Sequence, residues 1–329
     1  MSSAPGLALL LGLFAANLAL AAETEIDTAR DSFISRQSAL GFSRAQIDAF
    51  LADAQYNPKV IEAISRPWEA KPWYLYRPRF LTEARLNAGL EFWRTHESTI
   101  DKASAQFGVE PQMIVAIIGI ETHYGQTMGS YSVRDALYTL GFYYPPRASF
   151  FLKELGELQK LEQEEGLNLG TLKGSYAGAM GFGQFMPSSY RYYGVDFDGD
   201  GRKDLLGSPA DAIGSVANYF HQHGWQAGDA VAVRLESHDE APPTAALWQG
   251  EPLTLKASDI LGGSFGLADK RDLDVARPAM LFKLEQETHD EYWMGFKNFF
   301  VITRYNRSPL YAMAAYEFSE QLKHAHAKY

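Results

Sequence analysis

Helical spacing of apolar residues dominates most of the chain. Ser43-Arg-Ala-Gln46, followed by Ile47, Phe50 and Leu51, is typical of a capped amphipathic helix. A proline at position 111 predicts the start of a second, strongly apolar helix, because proline is favoured in the first helical turn. The same periodicity predicts helices from Leu81 past His96, over Ser98–Phe107, Asp135–Leu140, Ser149–Glu165, Ser215–His223 and Ser308–His324.

The spacing of apolar residues is no longer helical between about Gly228 and Trp293. Ala230–Glu236 and Ala279–Glu285 are typical of strands, and the aromatic segment Trp293–Tyr305 is predicted to begin as one. The fold class is therefore α+β and predominantly helical, with a small β subdomain. The predicted boundaries are 1–21 for a signal peptide, 22–107 for a helical N-terminal region, 108–227 for a helical core, 228–294 for the β subdomain and 295–329 for a segment that returns to the core.

The N-terminal segment is typical of export. Leu7–Leu20 is an apolar run, and Ala19-Leu20-Ala21 before Glu23 has the small residues of a cleavage site. The alternative is a membrane anchor, but the run is shorter than the roughly 20 apolar residues that span a bilayer. The sequence favours a signal peptide and a soluble periplasmic protein.

Composition narrows the function classes. The 329 residues contain 30 Lys+Arg against 40 Asp+Glu, and the formal net charge of −10 argues against nucleic acid as a partner. Because the chain has no cysteine, it cannot form a disulfide, a thiolate nucleophile or a lipid anchor on a thioether. The aromatic fraction of 13% suits a large core or a groove for sugar rings.

Glu121 is the strongest candidate for catalysis. On a helix it shares a face with Ile118, Ile117 and Ile114. Loss of hydration on such a face should raise the pKa of the carboxyl group, as a general acid near neutral pH requires. The alternative is a glutamate that reaches water at the frayed end of the helix before Gly125. Spacing alone leaves these two interpretations open.

Three further segments carry polar groups. Gly174–Ser189 is rich in small residues and includes Ser175 and Gln184, which can hydrogen-bond sugar hydroxyl or acetamido groups; close helix packing is the alternative. Thr303–Tyr311 includes Tyr305, Asn306 and Tyr311, which could bind a substrate or cap the final helix. Tyr219 lies in a helix of mixed character and could likewise bind a substrate or have a structural role.

An acidic loop follows the glycine-rich segment Gly174–Ser189 along the chain. Asp196, Asp198 and Asp200 alternate, and a glycine stands at the sixth position, as in the opening of a calcium-binding loop. The twelfth position should carry an acid but is Gly207, and the nearest later acid is Asp211. We favour a structural calcium ion over a solvated acidic turn, and we expect no cofactor for catalysis.

Taken together, these motifs resemble the lytic murein transglycosylase B family, which is glycoside hydrolase family 103. The likeness covers Gly119–Gly125, Gly174–Ser189, the acidic loop with Pro209–Tyr219, and Thr303–Asn306, in order over roughly Phe33 to Tyr316. The resemblance implies a lysozyme-like catalytic core over 108–227 and cleavage of the MurNAc–GlcNAc bond in peptidoglycan. The chain resembles the soluble, exported members, since the membrane-bound ones carry a lipid on cysteine.

The resemblance also implies roles for single residues. Glu121 matches the one catalytic acid of the family. The positions that match its sugar groove are Ser175, Gln184, Tyr219, Tyr305, Asn306 and Tyr311, and those that match its calcium loop are Asp196, Asp198, Asp200 and the Arg202 carbonyl. Where family members often carry paired arginines, this chain has Tyr144-Pro-Pro146-Arg147, so Arg147 is expected to contact the peptide stem more weakly.

The resulting hypothesis is a lytic transglycosylase that leaves 1,6-anhydro-MurNAc ends, with Glu121 acting first as acid and then as base. The alternatives are a muramidase-type hydrolase on the same fold and a non-catalytic peptidoglycan-binding protein. Expected partners are peptidoglycan glycan strands and proteins of cell-wall synthesis or division. The protein itself is expected to be monomeric.

Overall fold

A computed structural model describes residues 24–66, 71–238, 246–262, 264–269 and 272–328. The predicted signal peptide at 1–21 lies outside these residues. The chain forms two compact units, each built from separate stretches of sequence. Of the described residues, the first unit contains those within 24–65, 129–179 and 186–191, and the second contains those within 66–128, 180–185 and 192–328.

The first unit is mainly helical. Its elements are α1 (24–39), α2 (Arg44–Ala52), α3 (Pro58–Ile64), β1 (Tyr131–Ser132), α8 (Val133–Tyr143), a 3-10 helix (Pro145–Arg147), α9 (Ala148–Glu165) and β2 (Lys173–Gly174). Helices α8 and α9 pack against each other through fully buried residues such as Leu140 and Leu155. Strands β1 and β2 form a short antiparallel ladder that pairs Tyr131 with Gly174.

The second unit combines helices with a five-stranded sheet. Its helices are α4 (Trp73–Phe80), α5 (Glu83–Thr95), α6 (Glu97–Phe107), α7 (Pro111–Thr122), α11 (Pro209–Gln222), α12 (Ala257–Leu261), α13 (Lys297–Tyr305) and α14 (Pro309–His326). Its strands are β3 (Ala232–Ser237), β4 (Leu255–Lys256), β5 (Phe265–Leu267), β6 (Pro278–Glu285) and β7 (Asp290–Gly295), in the antiparallel order β4-β6-β7-β3-β5. Helix α10 (Pro187–Tyr193) runs from the first unit into the second.

Helix α7 forms the centre of the second unit. Every residue from Met113 to Ile120 is buried, and α5, α6, α11 and α14 all pack against this helix. No single helix in the described ranges is both long and apolar enough to cross a membrane. Helices α6 and α7 are long and apolar enough only when they are taken together, and the chain bends by 114° where they join.

Local sequence signals are confirmed at several helix ends. Ser43 and Gln46 form the predicted capping box at the start of α2. Pro111 occupies the first-turn position predicted for it in α7. The structure also shows Ser308 as the N-cap of α14, with Pro309 in its first turn. The predicted fold class is confirmed as well, since the chain is mostly helical with a small antiparallel sheet.

Some predicted element bounds are wrong. Helix α11 begins at Pro209 rather than Ser215, because Ser208 accepts a hydrogen bond from the Asp211 N–H and starts the helix there. The segment Trp293–Tyr305 begins as a strand, as predicted, because β7 ends at Gly295, and the rest of the segment is the helix α13. The aromatic residues of α13 are therefore helical, with Phe299 buried and Phe300 and Tyr305 partly buried.

Candidate active site

Glu121 lies at the next-to-last position of α7. The three isoleucines that share its face, Ile114, Ile117 and Ile118, are completely buried, and the glutamate itself is partly buried. Its Oε1 accepts a hydrogen bond of 2.5 Å from the Tyr311 hydroxyl. Burial raises the pKa of the Glu121 carboxyl from about 4.5 to about 7, and the Tyr311 hydrogen bond partly opposes this rise. A carboxyl group with this pKa can both donate and accept a proton near neutral pH.

The turn after Glu121 is unusual. His123 and Tyr124 have positive φ angles of 51° and 60°, a conformation that residues other than glycine rarely adopt. Thr122 fixes this turn, because its hydroxyl donates to the Phe182 carbonyl at 2.8 Å and accepts from the Gly125 N–H at 3.0 Å. The helix therefore ends at a defined place directly beside Glu121, and a frayed end does not describe this site.

Tyr219 and Tyr305, two of the predicted tyrosines, lie in one aromatic cluster, and a third, Tyr311, lies beside Glu121. Tyr311 contacts the carboxylate directly, and Tyr305 donates to the Gly183 carbonyl at 2.5 Å. The rings of Tyr219 and Tyr305 meet edge to face with centroids 4.7 Å apart. Burial and the nearby Glu121 charge hold the pKa values of Tyr305 and Tyr311 well above 10, so both hydroxyl groups are neutral donors.

Gln184 and Asn306 help to shape the backbone of the same unit. The Gln184 side-chain amide donates to the carbonyls of Gly181 at 3.0 Å and Met128 at 3.2 Å, and its φ of 49° lies in the left-handed region. Asn306 ends α13, and its Oδ1 accepts from the Ser308 N–H at 3.1 Å. Both side chains therefore have structural contacts, and their predicted contacts with sugar stay predictions.

Ser175 and Arg147 lie in the first unit. The Ser175 Oγ accepts from the Ala179 N–H at 3.0 Å and holds the glycine-rich turn. Arg147 is exposed, and its guanidinium lies over the rings of Phe150 and Phe151 at 4.5 and 5.1 Å. Their roles as substrate-binding residues also stay predictions.

The acidic loop folds around its own carboxylates. Asp196 accepts the N–H groups of Gly199 at 2.7 Å and Gly201 at 2.9 Å. Carboxylate oxygens of Asp196, Asp198 and Asp211 lie within 4.8 Å of one another. Three like charges at this separation repel unless a cation joins them, and a set of hard oxygen donors suits calcium.

Asp211 was not among the predicted ligands. It lies beyond the twelfth loop position, in the first turn of α11, where it is fully buried and accepts the N–H groups of Phe197 and Asp204. The predicted ligand Asp200 lies outside the three-carboxylate group, and its Oδ1 instead accepts the Arg202 N–H at 2.9 Å. The roles of Asp200 and the Arg202 carbonyl as ligands stay predictions.

Fold and site together define a lysozyme-like enzyme of the lytic transglycosylase class. Residues 25–320 match the family described as the transglycosylase SLT domain. The chain belongs to this family, and its relatives confirm the resemblance to lytic murein transglycosylases of type B.

Named relatives support the same assignment. The chain is 41% identical over 293 residues to membrane-bound lytic murein transglycosylase B of Escherichia coli K12, covering 85% of this chain and 78% of the relative. The crystal structure of the E. coli lytic transglycosylase Slt35 in complex with calcium has a TM-score of 0.80 and 38% identity, covering 91% of this chain and 94% of that one. SltB3 of Pseudomonas aeruginosa, solved with NAG-anhNAM-pentapeptide, has a TM-score of 0.74 and 30% identity, covering 91% and 80%.

Proposed function

We propose that this enzyme cleaves the β-1,4 bond between MurNAc and GlcNAc in peptidoglycan and leaves a 1,6-anhydro-MurNAc end. The observation that carries the proposal is the setting of Glu121, a carboxyl group on a buried isoleucine face with a tyrosine hydroxyl as its partner. The activity follows that of the murein transglycosylase relative, and the product matches the anhydro sugar bound to SltB3.

In the first step Glu121 acts as the acid. With a pKa of about 7, roughly half of the carboxyl groups carry a proton at neutral pH. The proton goes to the glycosidic oxygen as the bond to C1 of MurNAc breaks. The acetamido oxygen of MurNAc stabilises the positive charge that develops at C1.

In the second step Glu121 acts as the base. Its carboxylate takes the proton of the C6 hydroxyl as O6 bonds to C1, which closes the anhydro ring and restores the acid. No water enters the reaction. Donation by Tyr311 stabilises the carboxylate between the two steps, and because Tyr311 is neutral, it adds no charge of its own.

A hydrolase would need a second carboxylate or another base to activate water. Within the second unit, the carboxyl group of Glu317 has a pKa raised mainly by burial, but it is already paired with Arg77 at 2.6 Å. The groups that meet around Glu121 are the phenols of Tyr305 and Tyr311, which are poor bases near neutral pH. These contacts favour attack by the C6 hydroxyl over attack by water.

The product distinguishes the two reactions. We expect mass spectra of digested sacculi to show muropeptides that are lighter by one water than reducing muropeptides and that resist borohydride reduction. A digest dominated by reducing MurNAc ends would assign a muramidase to the same fold. Sacculi left intact by the purified enzyme would instead indicate the non-catalytic binding protein.

The Tyr311 contact predicts a change in pH dependence. Tyr311→Phe removes the hydroxyl that stabilises the Glu121 carboxylate, so the pKa of Glu121 should rise further. One hydrogen bond contributes about 1 kcal/mol, which moves the alkaline limb of the kcat/KM profile upward by about 0.7 pH unit. Tyr74→Phe, at an exposed tyrosine of α4, is the control and should leave the limb in place. An unmoved limb in Tyr311→Phe would mean that this contact does not set the pKa.

We also propose that Asp196, Asp198 and Asp211 hold a calcium ion in a structural role, as the calcium complex of Slt35 suggests. An ion that binds only the folded state raises the thermal midpoint by mass action. Millimolar-scale calcium should therefore raise the midpoint of the wild type, and Asp198→Asn should reduce that shift. Asp200→Asn tests whether the Asp200 carboxylate, which lies outside this group of three, is a ligand as well. Equal midpoints of the wild type with calcium and with chelator would indicate an acidic turn without an ion.

The localisation follows from the same proposal. The substrate lies outside the cytoplasmic membrane, so the enzyme must be exported, and residues 1–21 have the pattern of a cleaved signal peptide. Without a cysteine the mature protein cannot carry a lipid on a thioether, although the E. coli relative is membrane-bound. We therefore assign it to the soluble periplasm, which N-terminal sequencing of the mature protein tests.

A further inference from the structure

Helix α13 presents two cations on one aromatic ring. Lys297, Phe300 and Arg304 are spaced by three and four residues, which places them on one face of the helix. The guanidinium carbon of Arg304 lies 4.5 Å from the centroid of the Phe300 ring, and the Lys297 ammonium lies 5.7 Å from it. We call this set the cation face.

One edge of the Arg304 guanidinium is buried without hydrogen-bond partners among the described residues. Its Nε and Nη2 atoms are buried and have no hydrogen-bond acceptor within the part of the chain that the structure describes. These two nitrogens form the edge of a guanidinium that binds a carboxylate through two parallel hydrogen bonds. A buried, unpaired cationic edge destabilises the free protein, and a bound anion would remove that penalty.

The positive charges of this region also affect the pKa of His223. Arg304 and Lys297 both lower the pKa of His223, in addition to the larger effect of burial. His223 stacks on Tyr219 with ring centroids 4.1 Å apart. At neutral pH the imidazole is therefore uncharged, and the charges that a ligand would meet there are the two cations of α13 and the nearby Arg307, which lowers the pKa of Arg304.

The cation face adjoins the aromatic cluster at the candidate active site. The Tyr219 hydroxyl donates to the backbone carbonyl of Arg304 at 2.6 Å. The next residue, Tyr305, packs against Tyr219 and donates to Gly183. A chain bound along these tyrosines could therefore reach Arg304 with a group that extends from the sugar.

We propose that Arg304, supported by Lys297, binds a carboxylate of the substrate, and that this carboxylate belongs to the stem peptide on MurNAc. The inference rests on the proposed function. A neutral sugar ring offers no anion for a guanidinium, whereas the stem peptide carries free carboxylates. The lactyl group of MurNAc offers the same chemistry only where the peptide has been removed.

Binding measurements separate the two carboxylates. In a Glu121→Gln background, which does not consume the ligand, calorimetry would measure binding of GlcNAc–MurNAc-pentapeptide and of peptide-free GlcNAc–MurNAc. We expect Arg304→Gln to weaken binding of the pentapeptide ligand about ten-fold and to leave the peptide-free ligand unchanged. Weakening of the peptide-free ligand alone would overturn the stem assignment in favour of the lactyl carboxylate. Equal affinities of Arg304→Gln and the parent for both ligands would overturn the site.

Stability provides a second, independent measurement. If Arg304 gains an anionic partner only when the ligand binds, Arg304→Met should keep or raise the thermal midpoint of the ligand-free protein, because the substitution removes an unpaired buried charge. A merely structural arginine would give a lower midpoint and unchanged affinities. Arg44→Gln, at an exposed arginine of the first unit, controls for net charge and should change neither measurement.

Failure of the proposed function has a different signature. If wild-type enzyme leaves sacculi intact and the Glu121→Gln parent binds neither ligand, the proposed function fails. If the wild type cleaves sacculi and Arg304→Gln binds the pentapeptide ligand as the parent does, only the carboxylate site fails.

Discussion

Replacement of Glu121 by glutamine should reduce the rate of sacculus digestion by about 10³-fold or more, because general acid–base catalysis contributes 10²–10⁴-fold and this residue acts twice. The amide keeps the shape of the side chain, and its oxygen can still accept the hydrogen bond from Tyr311. It can neither donate a proton to the glycosidic oxygen nor take one from the C6 hydroxyl. Turbidity loss and release of muropeptides measure the effect.

The matched control is Glu91→Gln on α5. Glu91 is 71% exposed at its side chain and forms a surface ion pair with Arg94 one helical turn away, so its loss should leave activity unchanged. The assignment of Glu121 would be wrong if Glu121→Gln digested sacculi at the rate of Glu91→Gln. A Glu121→Gln protein that is folded and inactive supports it.

The same variant should change stability with a defined pH dependence. The folded state raises the pKa of Glu121 from 4.5 to about 7, so it holds the proton more tightly than the unfolded chain does. Ionisation therefore destabilises the wild type as pH rises from about 4.5 to about 7, whereas glutamine is neutral throughout. The stability of Glu121→Gln relative to wild type should grow over this range by up to about 3 kcal/mol, and it should be constant above and below it.

Local sequence signals predict the core of this site well. The isoleucine spacing before Glu121 predicts both the helix and the raised pKa, because a helical face depends only on residues within two turns. The acidic loop and the caps of α2 and α14 depend on equally short spacings. Such features can be predicted because their contacts join residues close in sequence.

Contacts that join distant segments could not be predicted in the same way. Tyr311 reaches Glu121 across 190 residues, and no spacing rule relates the two. Asp211 joins Asp196 and Asp198 because α11 folds back on the loop, whereas a linear count ends at Gly207. The order β4-β6-β7-β3-β5 is also not sequential, since it depends on which strand edges pack together.

Tyr124 is another residue that spacing alone does not identify. Its side chain passes between two glycines, Gly89 of α5 and Gly119 of α7, and its ring stacks on Phe92 with centroids 5.1 Å apart. A β-carbon on either glycine would lie 2.3 Å from the Tyr124 hydroxyl oxygen. The glycines are therefore needed for the close approach of this ring, which holds the strained turn beside Glu121.

Gly119→Ala should consequently destabilise the protein, although glycine to alanine in an exposed helix stabilises by about 1 kcal/mol. The new methyl group would also lie 2.6 Å from Cζ of Tyr124 and 3.0 Å from Phe318, in a region with no room to move. Overpacking of this kind costs about 1–3 kcal/mol, which exceeds the helix gain, so chemical denaturation should show a net loss of about 1 kcal/mol. Activity should fall as well, because Glu121 lies two residues further along α7.

Tyr124→Phe provides the matched partner for a double-mutant cycle with Gly119→Ala. The hydroxyl that it removes is buried and has no hydrogen-bond partner among the described residues, so the single variant should be as stable as wild type or more stable. It also removes the atom closest to the new methyl group, so the double variant should recover part of the stability lost in Gly119→Ala. Additive effects, or a Gly119→Ala protein more stable than wild type, would show that Tyr124 does not fill the space beside Gly119.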